Sequence, residues 1–299
     1  MSRFMSTQRP PTIDPQAAQR WQHMPPSLSP WLHEEVARRM QERLGWIKLQ
    51  PNNWAHWAPV SGGLQAHTLI SQRYPDASCF VIEPDAARSA FVSKALVKPW
   101  WQPARWKAQA TRFELPGDGA VDMLWANMLL HMAADPQALL AQWQRALAVD
   151  GFVMFSCFGP DTLQELRALY QALGWPAPSH EFTDMHDWGD MLVGAGFAEP
   201  VMDMERITLT FESPQRLLQE LRGLGRNLQP QRFAGLRGRQ WREQLHQALD
   251  GAPLQLSFEV IYGHAFKPQP RLTMRPETTL SLAQMRESLN QRKTYSKNP

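Results

Sequence analysis

Glu83 stands directly after the apolar run Ser78–Ile82 and before Pro84. A carboxylate at the carboxyl end of a buried strand can accept both hydroxyls of a ribose, the chemistry of an adenosine-containing cofactor. Ser61-Gly62-Gly63 follows an earlier apolar run and leads into a helical pattern. Glycines there let backbone approach a ligand closely. The G-x-G-x-x-G spacing is absent, as is a Walker A lysine pattern, so neither a nicotinamide dinucleotide nor a phosphate-loop nucleotide is supported. Asn127 and His131 fall just past the strand that begins at Val121, where open α/β sheets hold small molecules. No second His or Cys stands at ligand spacing from His131, so no metal is assigned. His180, His186 and His264 are scattered, and without a G-x-S-x-G elbow they make no Ser-His-Asp triad. Arg206, Arg216, Arg222, Arg226, Arg232, Arg237, Arg239 and Arg242 crowd the C-terminal half with few acids among them. They form either a solvated face or a docking surface for an acidic partner. Each of the other residues also has a plain reading: a loop acid, a helix-start glycine, a packed histidine.

The elements that must position these residues follow from periodicity. Val121–Met132 begins with a strand, Asp135 caps a helix with Pro136 at its first position, and Phe152–Phe158 is a continuous apolar run after the Asp150-Gly151 turn. Strand, crossover helix and strand make a βαβ unit of a parallel sheet. Upstream, the pattern predicts an amphipathic helix over Trp31–Ile47 and a first strand over Trp54–Val60. It then predicts a helix over Leu64–Arg73, a second strand Ser78–Ile82, a helix Asp85–Leu96 and a third strand Ala104–Ala110. Downstream come helices from Asp161 and Asp184, a long strand Val201–Phe211, helices from Ser213 and Trp241, and a last strand Leu254–Phe266. Alternating β and α with two long strands at the end indicates a doubly wound, mostly parallel sheet. Residues 1–16 are expected to be disordered, 17–268 to form one domain with an insert at about 212–250, and 269–299 to be a polar tail with one helix near Leu280–Leu289.

Composition sets the outer bounds. The chain has 299 residues, is 43% hydrophobic and carries a formal net charge of +3, a mild excess that does not argue for nucleic acid. Cys79 and Cys157 both fall in predicted strands, which fits small core residues in a reducing compartment rather than a disulfide framework. No apolar run approaches the ~18 residues of a spanning helix, and Met1–Gln16 has no secretory apolar core. A cytoplasmic protein is expected, with no membrane partner.

Beyond these signals, particular strings carry a resemblance. Leu124-Trp125-Ala126-Asn127-Met128-Leu129-Leu130-His131, Phe155-Ser156 with Gly159-Pro160-Asp161-Thr162-Leu163, and Phe182-Thr183-Asp184-Met185-His186-Asp187 stand in chain order. Ala195-Gly196-Phe197 and Glu259-Val260-Ile261-Tyr262-Gly263-His264-Ala265 follow. From about Ala17 to Pro268 the chain resembles class I S-adenosylmethionine-dependent methyltransferases, and within them the BioC-like group, the malonyl-acyl carrier protein O-methyltransferases of biotin synthesis. The resemblance implies a Rossmann-like seven-stranded sheet of order 3-2-1-4-5-7-6 with the last strand antiparallel. The insert would lie over the carboxyl ends of the strands. The implied cofactor is S-adenosylmethionine, with Ser61, Gly62, Gly63, Glu83, Asn127, Leu130 and His131 around it. The implied substrate is a malonyl thioester on an acidic acyl carrier protein, with His180, Phe182, Arg222, Arg226 and Arg239 on the acceptor side.

The chain also departs from the group's pattern. The cofactor loop reads Ala58-Pro59-Val60-Ser61-Gly62-Gly63, with Ala58 at the usual acid and Val60 at the usual first glycine. Pro59 removes a backbone donor, and Val60 is expected to crowd the cofactor. The acid after the third strand falls near Thr111, and the N-terminal tyrosine near Pro26. Two other readings therefore stand beside the enzyme: a non-catalytic accessory relative, and a different modification on the same fold, such as protein hydroxylation. An ionised malonyl carboxylate needs no general base, so the lack of a triad does not disfavour the enzyme.

Overall fold

The computed structural model describes residues 13–25, 28–96, 111–233, 235–251 and 253–270. The chain divides into a unit of Met1–Pro268 and a short unit of Gln269–Pro299. The second falls almost wholly outside the described residues, as does the helix expected near Leu280–Leu289.

The first unit is centred on a seven-stranded sheet in the order β3-β2-β1-β4-β5-β7-β6. The strands are β1 Asn53–Trp57, β2 Ser78–Ile82, β3 Thr111–Arg112, β4 Val121–Ala126, β5 Leu147–Phe158, β6 Ala198–Thr210 and β7 Gln255–Phe266. β1 runs parallel to β2 and β4, β2 to β3, and β4 to β5, while β7 is antiparallel to both β5 and β6. This is the order and polarity that the resemblance implies.

Period-two alternation explains the layers. Trp54, Cys79, Val81, Met123, Trp125, Phe152 and Met154 face one side, where Val36, Met40, Ala66 and Ile70 from the helices Trp31–Arg43 and Leu64–Arg73 cover them. Ala55, Trp57, Phe80, Leu124, Val153 and Phe155 face the other, under Leu140 and Trp143 of the helix Pro136–Ala146 and Trp188 of the helix Met185–Gly194. The central strands are buried on both faces, which is why they read as unbroken apolar runs.

Several boundaries differ from the sequence reading. β1 stops at Trp57, and Pro59–Gly62 forms a helical turn instead of continuing the strand. β5 is continuous in extent through Asp150-Gly151, but the expected turn is there as a bulge: Asp150 is left-handed (φ 66°) and the pairing with β4 jumps from Leu147 opposite Val121 to Phe152 opposite Met123. Asp150 donates its amide to the Lys267 carbonyl (2.9 Å) and Gly151 accepts from Lys267 (2.8 Å). The strand expected at Ala104–Ala110 lies outside the described residues, and β3 is the pair Thr111–Arg112 that follows it. Of the stretch expected to be disordered, residues 1–12 lie outside the described residues. Ile13 is buried, and Asp14 caps a helix that starts at Pro15 by accepting from the amides of Gln16 and Ala17.

Candidate functional site

The site is built where the chain leaves β1 and β4, adjacent strands at the middle of the sheet. Ala58 leaves β1 in the left-handed region (φ 51°) and donates its amide to the Ile82 carbonyl at 2.8 Å. Met128, just past β4, is also left-handed (φ 52°). Strained backbone of this kind persists where surrounding structure enforces it, commonly beside functional sites. The turn after Ala58 uses up its own donors: Gly62 and Gly63 give their amides to the carbonyls of Ala58 and Pro59, both at 2.9 Å. Only glycine fits at 62, since a Cβ there would lie 2.6 Å from the Asn127 carbonyl oxygen.

Asn127 locks this turn to the rest of the site. Its side-chain amide donates to the His33 carbonyl (2.8 Å) and to the Gly62 carbonyl, while its own oxygen accepts from the Ser156 hydroxyl (2.6 Å). The Ser156 hydroxyl in turn accepts from the Met128 amide (3.1 Å). Asn127 and Ser156 are fully buried, and a buried polar group is tolerable only when paired in this way. Three segments distant in sequence are thus held by one side chain.

Glu83, at the end of β2, accepts the Val60 amide on one carboxyl oxygen at 2.7 Å. The other oxygen is buried and has no donor. Burial pushes this carboxyl up to about 7, against the opposing pull of the Val60 amide and of nearby Arg88. His33 offers a second half-satisfied group. Its Nδ1–H donates to the Ser61 carbonyl (2.6 Å), its Nε2 is buried without a partner, and burial holds it down to about 4. It is neutral at pH 7.

Glu83, His33, Ala58, Val60, Ser61 and Met128 line one cleft. Its cover comes from two directions. The N-terminal segment supplies Trp21, Met24, Pro25 and Leu28, and the region after the helix Pro214–Leu224 supplies Arg226. The guanidinium groups of Arg88 (5.7 Å to the ring centroid) and Arg226 (5.2 Å) both lie against the Trp21 ring. Asp14 fastens the same two segments, donating its amide to the Leu228 carbonyl (2.7 Å) and pairing with Arg232 (2.7 Å).

A second cleft, about 570 Å³, is lined largely by apolar groups, among them Phe158, Leu166, Phe182, Leu221 and Phe258. His131, Thr162, Ser179 and His180 are its buried polar members. His180 donates Nε2–H to the His131 carbonyl at 2.7 Å, leaving Nδ1 without a partner. Burial lowers both imidazoles below their ordinary range, so both are neutral. The two clefts share Met132, Leu224 and Arg226 and meet there.

The structure thus sorts the expected residues. Ser61 and Glu83 line the first cleft, and His131, His180 and Phe182 the second. Gly62, Gly63 and Asn127 line neither; they shape the turn. Leu130 is packed in the core beneath the sheet. Arg222 and Arg226 line the first cleft, but Arg239 is exposed on the helix Arg239–Asp250 and pairs with Glu243 (2.8 Å). The arginines are also better offset than their local sequence suggests: Arg206, Arg216 and Arg232 pair with Asp161, Glu220 and Asp14. Val60 is buried against the core and also lines the first cleft. His33 and Ser156 escaped the sequence reading. Their only signal is a polar residue set inside an apolar stripe.

Chemically, the first cleft fits an adenosine-containing group on one observation: the donor-free buried oxygen of Glu83, which ribose hydroxyls would satisfy. Nothing around it offers a nucleophile paired with a base, and no group of three or more His, Cys, Asp or Glu among the described residues could hold a metal ion. The arrangement suits transfer between two bound partners, one in each cleft, brought together by position.

Comparison with known proteins agrees with the geometry. No protein-family model matches the chain. Among solved structures, the YcgJ protein of Bacillus subtilis superposes with a TM-score of 0.51 at 13% identity, covering 79% of this chain and 99% of its own. A methyltransferase candidate from Bacillus halodurans gives a TM-score of 0.51 at 11% identity, covering 79% and 100%. Curated relatives are much nearer in sequence. The malonyl-[acyl-carrier protein] O-methyltransferase of Gallionella capsiferriformans is 38% identical over 81% of this chain and 86% of its own length. That of Laribacter hongkongensis is 37% identical over 80% and 84%. With the sheet order, the twin clefts and identity at this level along four-fifths of its length, the chain belongs to the malonyl-[acyl-carrier protein] O-methyltransferase family.

Proposed function

We propose that this protein methylates the free carboxylate of a malonyl thioester carried on acyl carrier protein, using S-adenosylmethionine, as a step of biotin synthesis. The observation that carries the reading is the meeting of the two clefts, one with an unsatisfied carboxylate oxygen at Glu83 and the other mostly apolar. Glu83 would hold the ribose hydroxyls. Ser61, Met128 and His33 would border the rest of the cofactor, while Asn127 and Gly62 keep that wall in place. Bound S-adenosylmethionine supplies an electrophilic methyl, which an acceptor carboxylate oxygen takes while sulfur keeps the carbon–sulfur electron pair.

The chain's own work is therefore positioning and exclusion of water. The neutral His131 and His180 present no charge that would compete for the carboxylate, and Phe158, Phe182 and Phe258 keep the acceptor cleft dry. The exposed arginines of the 206–242 region, Arg222 among them, give the carrier protein a cationic face to approach. Cys79 and Cys157, buried free thiols, suit the reducing cytoplasm, where we place the reaction.

Calorimetric titration tests the cofactor half. Wild type should bind S-adenosylmethionine, and Glu83→Ala should lose affinity on the order of 1.5–3 kcal/mol, the worth of a charge-assisted hydrogen bond. No binding by wild type at millimolar cofactor would return the protein to the accessory reading.

A further inference from the structure

We infer that the Arg226 guanidinium, set at the seam of the two clefts, is the group that selects an acceptor bearing a free carboxylate. The inference rests on the proposed function, since it concerns the acceptor of that same reaction.

Only Met132, Leu224 and Arg226 line both clefts. A methyl donor in the first and an acceptor in the second must bring their reacting atoms together at this seam, so whatever touches the acceptor carboxylate there decides what is accepted. Met132 and Leu224 offer no charge. His131 and His180, the titratable groups of the second cleft, are buried and neutral. Among the cleft-lining residues that leaves Arg226 as the one permanent cation of the second cleft.

Its geometry suits the task. Nη1 donates to the carbonyls of Arg222 and Gly225, the second at 2.8 Å, and the guanidinium lies over the Trp21 ring. These contacts fix its position without neutralising it. No carboxylate among the described residues pairs with it, whereas Arg216, Arg232 and Arg239 in the same region each have one. A guanidinium held by backbone and an aromatic face, with Nε and Nη2 free of any hydrogen-bond partner among the described residues, is preorganised for a carboxylate. Esterification removes the acceptor's charge, so the contact that admits the substrate lets the product go.

The test compares equilibrium binding, without cofactor, of two carrier proteins: one bearing a malonyl thioester, the other its methyl ester. Wild type should prefer the free carboxylate by at least about tenfold. Arg226→Gln should bring that ratio to about one, and Arg226→Lys should restore part of it. Arg226→Gln should keep the circular-dichroism spectrum of wild type, which shows that the variant is folded, and should lose no more S-adenosylmethionine affinity than Trp21→Ala, which breaks the same ring contact. An unchanged ratio in Arg226→Gln overturns the inference. So does loss of cofactor affinity with the ratio intact, which would give Arg226 to the first cleft. If wild type methylates malonyl carrier protein yet shows no preference for the free carboxylate, the selector claim falls while the function stands. If wild type neither binds nor methylates malonyl carrier protein, the function itself falls and takes the inference with it.

Discussion

The two oxygens of Glu83 have different fates in this fold, and that asymmetry can be measured. One accepts the Val60 amide, which pulls the carboxyl down, and the other is buried without a donor; burial outweighs the amide and raises the carboxyl from its ordinary 4.5 to about 7. A carboxyl raised on folding favours the native state fully below its unfolded value and loses that contribution as pH rises through the folded one. The cofactor-free protein should therefore lose thermal stability between pH 5 and pH 8. Glu83→Gln should flatten that fall, gaining on wild type at pH 8 but not at pH 5; parallel melting curves for the two proteins would refute the burial argument. Asn127 makes a complementary prediction. Asn127→Ala strips partners from the His33 and Gly62 carbonyls and the Ser156 hydroxyl. It should cost at least about 3 kcal/mol in denaturant unfolding, at roughly 1–3 kcal/mol for each of the three buried groups that loses a partner. Glu83 was legible in the sequence because a strand end is a fixed address in this architecture. The role of Asn127 was legible only as a position, because its three partners come from segments that periodicity cannot bring together.

At the scale of elements, the first cleft is closed by a clasp rather than by the glycine turn. The helix Pro15–Gln22 and the segment Arg222–Arg232 meet through Asp14, Trp21, Arg226 and Arg232. Trp21→Ala removes the aromatic face that two guanidinium groups share. Each such contact is worth about 0.5–2 kcal/mol, so cofactor affinity should fall several-fold and amide exchange in Ile13–His23 should quicken. Unchanged exchange would mean that the clasp is held elsewhere. Composition hid this clasp, because Asp14 falls in the stretch 1–16 that reads as disordered. Element ends show the same limit. β5 begins earlier than expected because Leu147 already pairs with Val121 of β4, and the Asp150-Gly151 turn is absorbed as a bulge within the strand. The turn at Pro59 cuts β1 short for a local reason: proline fixes φ and lacks an amide to give a neighbouring strand.

Across the whole molecule, the sheet was the most legible feature. Four central strands buried on both faces leave unbroken apolar runs, and the acids, glycines and prolines that punctuate them mark the carboxyl ends where both clefts open. Substrate choice was the least legible, since it depends on Arg226 standing where two clefts meet. Carrier docking belongs to this scale too. Attraction to the arginine-bearing face should fade with salt, because exposed charges separated by more than about 10 Å are screened near 0.1 M. Arg222→Glu with Arg239→Glu should slow association more than it speeds dissociation, as read by surface-immobilised kinetics. Rates indifferent to both changes would leave these arginines as a solvated face. The central claim, one cleft for the methyl donor and one for a malonyl acceptor, is tested most directly by incubating the protein with methyl-labelled S-adenosylmethionine and malonyl or acetyl carrier protein. The account predicts label on the malonyl carrier as a base-labile methyl ester and none on the acetyl carrier, which has no carboxylate to accept it. Absence of labelled ester on the malonyl carrier, at cofactor concentrations that saturate a control methyltransferase, would contradict it.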